Sequence, residues 1–600
     1  MIAFFITALM LTPPDLGAIQ ECKDQQELAI FTSPRRPHGG ASLQILVVSE
    51  KAQPGAQIVV MEPDGSSRVV AAIERGGPPF GWWAQVKAPR EGVWRSALVR
   101  DGKVLACQKV KVHRRKIQVG KLRPDDSPVW KASWKWEWDT ENLYSFWIEQ
   151  LFHAPREAEP SWRPLHEVLR DPKRNFLFNH KNLNEDNPKG MRVKPDCADF
   201  PYFLRAYFAW KLRLPFSYRS CSRGSSKRAP RCGAQHTHEI PAVKESVVKS
   251  FEHFLRREVA RRVHSSTGRV APTDENSDYY PVALTRRALR PGAVFHDPYG
   301  HVLVVSAWFP QENGGPGVLF AVDAQPDTTI GRRRFWRGSF LFPEDSATPG
   351  AGFKRFRPIV RRRKEWVLLS NKEINSRRDY GDFSTEQWSR GKASFYSKME
   401  ALIHPQPLSP KMALSAVLDA LTEQVRRRVL SVDTGEEWRR KNSRRVIEIP
   451  DGSSIFQTSG PWEDYSTPSR DLRLLIAIQS VIDLPKRILA HPERYQIPEG
   501  GSGRELSQQV ALLIRAEAAK RGFDYTRSDG SKHSLSVGDV IDRREALEMA
   551  YNPNDCPEIR WGAPKGSQEF STCRRRATSW QRKKMNKYRV WFRERRRPLH

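Results

Sequence analysis

Between Leu43 and Val112 short apolar runs alternate with turn signals: LQILVVS, QIVVMEP, RVVAAI, GVWRSALV and VLACQKVKV, with Asp64-Gly65 and Asp101-Gly102 between them. Such runs closed by Asp-Gly are hairpin signals, because these residues tolerate the positive φ that a tight turn demands. The pattern predicts an all-β sandwich over residues 40–115. From about 130 to 403 it becomes mixed α+β. Trp134, Trp136 and Trp138 alternate with polar residues before Asp139 and Thr140 open a helix, and aromatic residues at this density are core material before they are a sugar-stacking strip. His301 to Trp308 reads as a strand buried on both faces, PQENGG as a turn, and Val318 to Asp323 as the next strand. Over residues 405–600 the period is helical: Ser409 and Pro410 open a helix with Leu414, Val417, Leu418, Leu421 and Val425 on one face. A second helix follows Ser469 and a third runs from about Glu505 to Arg521.

A chain of 600 residues exceeds what one core supports, so several domains are expected. At the start, an apolar run from Ile2 to Leu11, a Pro-Pro break and the small pair Gly17-Ala18 resemble a secretory signal over residues 1–18. The run is too short to span a bilayer. Export changes the reading of the seven cysteines, since in an oxidising compartment neighbours pair. Cys221 with Cys232 and Cys556 with Cys573 would close short loops, and Cys22 with Cys107 would staple the N-terminal domain. Cys197 is left alone.

The net charge of +32 favours anionic partners, such as peptidoglycan or another polyanionic envelope polymer. The basic runs are scattered (332–334, 361–364, 426–428, 574–576, 595–597), and no helix-turn-helix, zinc-finger or RNA-binding signature accompanies them, so no specific nucleic acid is expected. Twelve Lys or Arg follow Cys573, interleaved with Trp580, Tyr588, Trp591 and Phe592; the segment either docks on its own domain or makes a peripheral surface contact. Cys221, Cys232, His236, His238 and Glu239 have metal-ligating side chains, but a disulfide loop is the better reading in an exported chain, and no metal or cofactor is expected. Glu463, Asp464 and Tyr465 read as a solvated loop.

The candidate chemistry sits at Cys197. Pro195 cannot continue a helix, Asp196 is a good N-cap, and Cys197 then falls at the first helical position, where free N–H groups and the helix dipole favour a thiolate. Asp196 and Asp199 oppose that, so a nucleophilic role needs a histidine nearby. If the strands after PQENGG pair with Ser306 opposite Val318, His301 stands opposite Asp323, and a carboxylate beside an imidazole fixes its tautomer.

Asp-Cys at a helix start, a later Pro-Gly, then Gly-His-Val opening a strand with a polar residue on the next strand, resembles the papain-like superfamily. The likeness is to cell-wall cysteine peptidases of the NlpC type and, about equally, to transglutaminase-like proteins. It implies Cys197 (DCADF) as nucleophile, His301 (YGHVLVV) as base and Asp323 (FAVDAQPD) as orienting carboxylate. Ala198 and Asp199 stand where Ser-Gly is usual after the cysteine, and Ala293 stands where an acidic residue follows Pro-Gly. The N-terminal strand pattern resembles immunoglobulin-like sandwiches. Together these imply an exported thiol hydrolase of amide bonds, with acyl transfer or non-catalytic envelope binding as the other readings.

Overall fold

A computed structural model of the protein describes residues 28–116, 127–225, 228–244, 246–312, 315–325, 327–343, 350–456 and 460–598. The N-terminal strands are β1 (Leu28–Ser33), β2 (Leu43–Ser49), β3 (Gln57–Met61), β4 (Ser67–Val70), β5 (Ala72–Arg75), β6 (Phe80–Val86), β7 (Gly92–Arg100) and β8 (Lys103–Val112). They form two four-stranded antiparallel sheets, β1-β2-β6-β5 and β4-β3-β7-β8. At the β7–β8 turn Asp101 and Gly102 both have positive φ (49° and 75°), as the Asp-Gly signal requires. The domain begins earlier than residue 40, because β1 supplies an edge strand. Ile45, Val47, Ile58, Val60, Trp82, Trp94 and Leu98 fill the space between the sheets.

The other face of the first sheet is not solvated. Phe31, Leu46, Val48 and Trp83 join the core of the next region, where Trp83 meets Phe176 with ring centroids 5.9 Å apart. Gly81 lies beneath Phe146, and a Cβ there would come within 2.4 Å of that ring.

The central region is a seven-stranded antiparallel sheet in the order β12-β17-β13-β14-β15-β16-β9, where β9 is Ser161–Trp162, β12 Tyr279–Pro281, β13 Val294–His296, β14 Val302–Phe309, β15 Val318–Ala324, β16 Ile330–Arg334 and β17 Gly352–Phe356. β10 (Ser217–Cys221) and β11 (Cys232–Thr237) form a separate hairpin. Helices α1 (Trp138–Leu151) and α2 (Asp199–Leu212) cover one face through Val302, Val304, Val322 and Ala324. Helix α3 (Gly391–Ile403) covers the other through Leu303, Val305, Leu319 and Ala321. Apolar side chains on both faces explain the near-continuous apolar run of β14. Trp136 is core, stacked on Phe208, while Trp134 is 46% exposed.

The β14–β15 register differs from the expected one. Phe309, not Ser306, meets Val318, so the turn is shorter than the expected pairing implied, and a bulge at Ser306 then takes one place back. Val304 thus stands opposite Val322, which sets Asp323 level with Leu303 instead of His301. The net displacement is two residues, so no side chain changes face.

The C-terminal region is mostly helical, with α4 (Pro410–Lys441), α5 (Pro468–Ile482), α6 (Gly503–Ala519) and α7 (Ser579–Arg593) around a shared core that includes Leu418, Leu421, Leu475, Ile478, Val510, Tyr551 and Trp561. A hairpin, Gly522–Thr526 with Lys532–Ser536, interrupts the helices and was not anticipated. Met585, Tyr588 and Phe592 of α7 are buried, and Phe592 stacks on Tyr551 at 4.7 Å, so the final helix docks on its own region.

Cys221–Cys232 and Cys556–Cys573 are disulfides and Cys197 is free, as expected. Cys107 is also disulfide-bonded, and Cys22, its expected partner, lies outside the described residues, as does the 1–18 segment. No helix of the described residues is long and apolar enough to cross a membrane. Disulfides of this kind are the mark of an oxidising environment.

Candidate active site

The helix carrying Cys197 is initiated by Asp196. Its carboxylate accepts the N–H groups of Ala198 (2.8 Å) and Asp199 (2.9 Å), and its carbonyl accepts that of Phe200 (3.0 Å). Asp196 is therefore the functional N-cap and Cys197 the first helical residue, although the regular span starts at Asp199. The N–H of Cys197 itself makes no hydrogen bond among the described residues.

Cys197 Sγ lies 4.0 Å from the carbonyl oxygen of Gly300, the residue before His301. His301 follows a turn with unusually complete support. Asp297 Oδ1 accepts the N–H groups of Tyr299 (2.7 Å) and His301 (2.9 Å), and the His301 carbonyl accepts the N–H of Asp297 (2.9 Å). From this turn the imidazole Nε2 reaches Asp323 Oδ2 at 2.6 Å, a diagonal cross-strand contact that the two-residue register displacement leaves possible. Arg333 Nε donates to the same oxygen at 2.9 Å. Among the described residues His301 Nδ1 makes no hydrogen bond, and none joins Cys197 directly to His301. The structure therefore brings the three sequence-predicted residues to one place, with the His–Asp contact made and the Cys–His contact open.

The electrostatics are uneven. Removal from water and then the Asp196 charge push the Cys197 thiol well above its usual range, with Asp323 and Asp297 adding to this; the Val302 N–H works the other way. The thiol is thus protonated at neutral pH. Burial and Asp196 likewise raise Asp199 to about 8. On the other side, burial opposes ionisation of Asp323, but Arg333 and His301 overcome it and hold the carboxyl well below the usual range. Asp297 is held near 2, against burial, by Arg473 and His301.

Sequence reasoning missed part of the site. Asp297, in HDPYGH, could have been found as the start of an Asp-Pro turn. Arg473, on α5, bonds Asp297 Oδ2, and Arg597 donates to the Tyr299 carbonyl at 2.9 Å while its guanidinium lies 5.0 Å from the Tyr299 ring centroid. No local signal announces these two, which are 176 and 298 residues from their partners. Glu463 and Asp464, read as solvated, are exposed as expected but sit in the short helix Pro461–Tyr465 instead of a loop; burial, Asp464 and Asp196 raise the Glu463 carboxyl. In the His-Cys cluster the disulfide reading holds: Cys221 and Cys232 are bonded to each other, the His236 ring packs on Tyr218 at 5.4 Å, and the His238 ring packs on Trp130 at 4.8 Å.

No protein-family model matches the chain, and no curated protein does.

Proposed function

We propose that this is an exported thiol hydrolase of amide bonds, built on a papain-like central region with an immunoglobulin-like N-terminal sandwich, and acting on peptidoglycan or a related envelope polymer. The observation that carries the reading is the convergence of three sequence-distant groups. An unpaired cysteine at the first position of a helix lies against the backbone flanking His301, whose Nε2 is bonded to a fully buried, ionised Asp323. The disulfides and the charge of +32 support an oxidising, polyanionic surrounding.

The mechanism follows from which atoms are taken. Because Asp323 holds Nε2–H, Nδ1 carries the lone pair and is the base. A raised thiol pKa means that Cys197 is not a standing thiolate, so its proton passes to Nδ1 as Sγ attacks the amide carbonyl. The uncommitted Cys197 N–H is suited to receive the developing oxyanion. The imidazolium, stabilised by Asp323, returns the proton to the departing amine and leaves a thioester. Water, deprotonated by Nδ1, then hydrolyses the thioester, releasing acid and free thiol. Replacement of water by an amine would give acyl transfer instead.

The test is incubation of the protein with purified peptidoglycan, and separately with a glutamine peptide plus an amine donor. New amino termini from the first, lost in Cys197→Ala and His301→Ala, support hydrolysis, whereas amine incorporation without hydrolysis supports the transferase. A protein inert in both assays, with Cys197 unreactive to iodoacetamide up to pH 9, would sink the catalytic reading.

A further inference from the structure

A second concavity lies at the other end of the β14–β15 hairpin. Val318 and Asp323 are five residues apart on β15, roughly 16 Å at strand rise, so it is distinct from the thiol site. It is a pocket of about 120 Å³ between the central sheet and the helical region. Its walls are apolar: Val318, Phe335 and Ile403 on one side, and Ala413, Ala416, Val417 and Ala420 of α4 on the other. The alanines recur on one face of that helix, and their small size makes the room.

In the polar lining guanidinium groups outnumber carboxylates. Arg337 donates to Glu400 at 2.8 Å, Arg494 stands 3.5 Å from the same carboxylate, and Arg487 adds a third guanidinium to its field. Within the lining Glu400 faces these three guanidinium groups; Arg494 also has Glu493 at 3.9 Å, and Arg334, a fourth in the lining, pairs with Glu423 at 3.4 Å. Among the described residues Arg494 Nη1 is buried without a hydrogen-bond partner, while Nη2 donates to Ser397 Oγ. His404 contributes no negative charge: its Nδ1 accepts the Gly317 N–H at 3.1 Å, which leaves the proton on Nε2, and burial drives its pKa to about 4. An apolar pocket with a few convergent donors is the ordinary form of a small-molecule site, and guanidinium groups in excess select a carboxylate.

We infer that this pocket binds a small amphipathic carboxylate, its anionic head among Arg337, Arg487 and Arg494 and its hydrocarbon portion against the Ala413–Ala420 face of α4. The volume admits a body about as large as benzene, comparable to the roughly 150 Å³ of an engineered apolar cavity that takes that ligand.

Hexanoate, hexanamide, hexylamine and inorganic phosphate, each titrated calorimetrically into the full chain at low salt, test this. Hexanoate is expected to bind at least about tenfold more tightly than the other three, since the amide lacks the charge, the amine reverses it and phosphate lacks the apolar body. Arg487→Gln should weaken hexanoate by about tenfold or more. Ala416→Leu, which fills the pocket without touching a charge, should abolish binding while circular dichroism stays unchanged. Absence of hexanoate binding, equal binding of hexanamide, hexylamine or phosphate, or undiminished binding in Ala416→Leu would overturn the assignment.

Discussion

The central region is held on two sides by different physics. Against the sandwich it presents rings: Phe146, Phe176 and Trp147 meet Phe31, Leu46, Val48 and Trp83 in a continuous core. Against the helical region it presents charge. Arg426 pairs with Glu159 at 2.6 Å, Arg427 donates to the Arg332 carbonyl at 2.6 Å, Arg334 meets Glu423 at 3.4 Å, and Arg473 holds Asp297. The ring packing is non-directional, although Glu50 of the sandwich also pairs with Arg290 at 3.2 Å and Arg287 at 3.5 Å. The helical contact is directional, and one of its pairs ends on the turn that carries His301. Burial of rings fixes a position, whereas ionic contacts can also communicate pH and salt to a site.

The strongest break of the apolar side is Phe146→Ala. Truncating a fully buried ring should cost about 3–5 kcal/mol, and the loss should be the same in 0.05 M and 1 M NaCl because no charge is involved. Denaturant titration at the two salt concentrations measures it. A salt-dependent loss would mean that the interface has been misread.

The ionic side should yield less and respond differently. Arg473→Gln removes a charged partner of a buried carboxylate, an effect of about 1.5–3 kcal/mol at low salt. It also frees Asp297 to swing from the Tyr299 and His301 N–H groups. The signature beyond stability is kinetic: kcat should fall more than KM changes in Arg473→Gln, while Arg473→Lys restores part of it. An unchanged kcat would reduce Arg473 to a structural contact.

Acidity sharpens the contrast again. Glu149, buried near Arg75 and Arg286 where the sandwich meets the central region, is raised by burial to about 8, with those two cations acting against the shift. A folded pKa above the unfolded one means the native state holds the proton more tightly. The stabilisation is full below about pH 4.5 and is lost as pH rises through 8. Thermal unfolding should therefore show lower stability at pH 9 than at pH 6, and Glu149→Gln should flatten that difference.

These contacts also mark what was legible in the chain. The Asp-Gly turns, the helix start at Asp196 and the apolar β14 run are local patterns, and each lies where its pattern put it. The exact cross-strand partner of His301 was not legible, because a bulge and the length of the turn set it; its face was, because faces survive displacements of two. Least legible was the use of the basic runs. Arg332 is buried with its guanidinium on the carbonyls of Pro155 and Arg156, Arg333 serves Asp323, and Arg428 forms a buried pair with Asp471 at 2.9 Å. Much of what reads as cationic surface in a composition is internal wiring here, since charge pairing over hundreds of residues has no periodicity to betray it.

The smallest expected effect tests the site most cleanly. Asp196 does two jobs: it caps the Cys197 helix, and its charge is the leading cause, after burial, of the raised thiol pKa. Asn caps helices about as well as Asp, so Asp196→Asn should change stability by no more than about 0.5 kcal/mol. The charge, however, disappears. Each unit by which the thiol pKa falls multiplies the thiolate fraction about tenfold at a pH below that pKa, so iodoacetamide should modify Cys197 several-fold to about tenfold faster at pH 8. Asp199→Asn should do less, because Asp199 is largely protonated below its pKa of about 8 and is not among the main causes of the thiol's shift. If Asp196→Asn leaves alkylation unchanged while the helix stays capped, the barrier to thiolate formation is burial alone, and the acidic flank of the cysteine belongs to the fold instead of the chemistry.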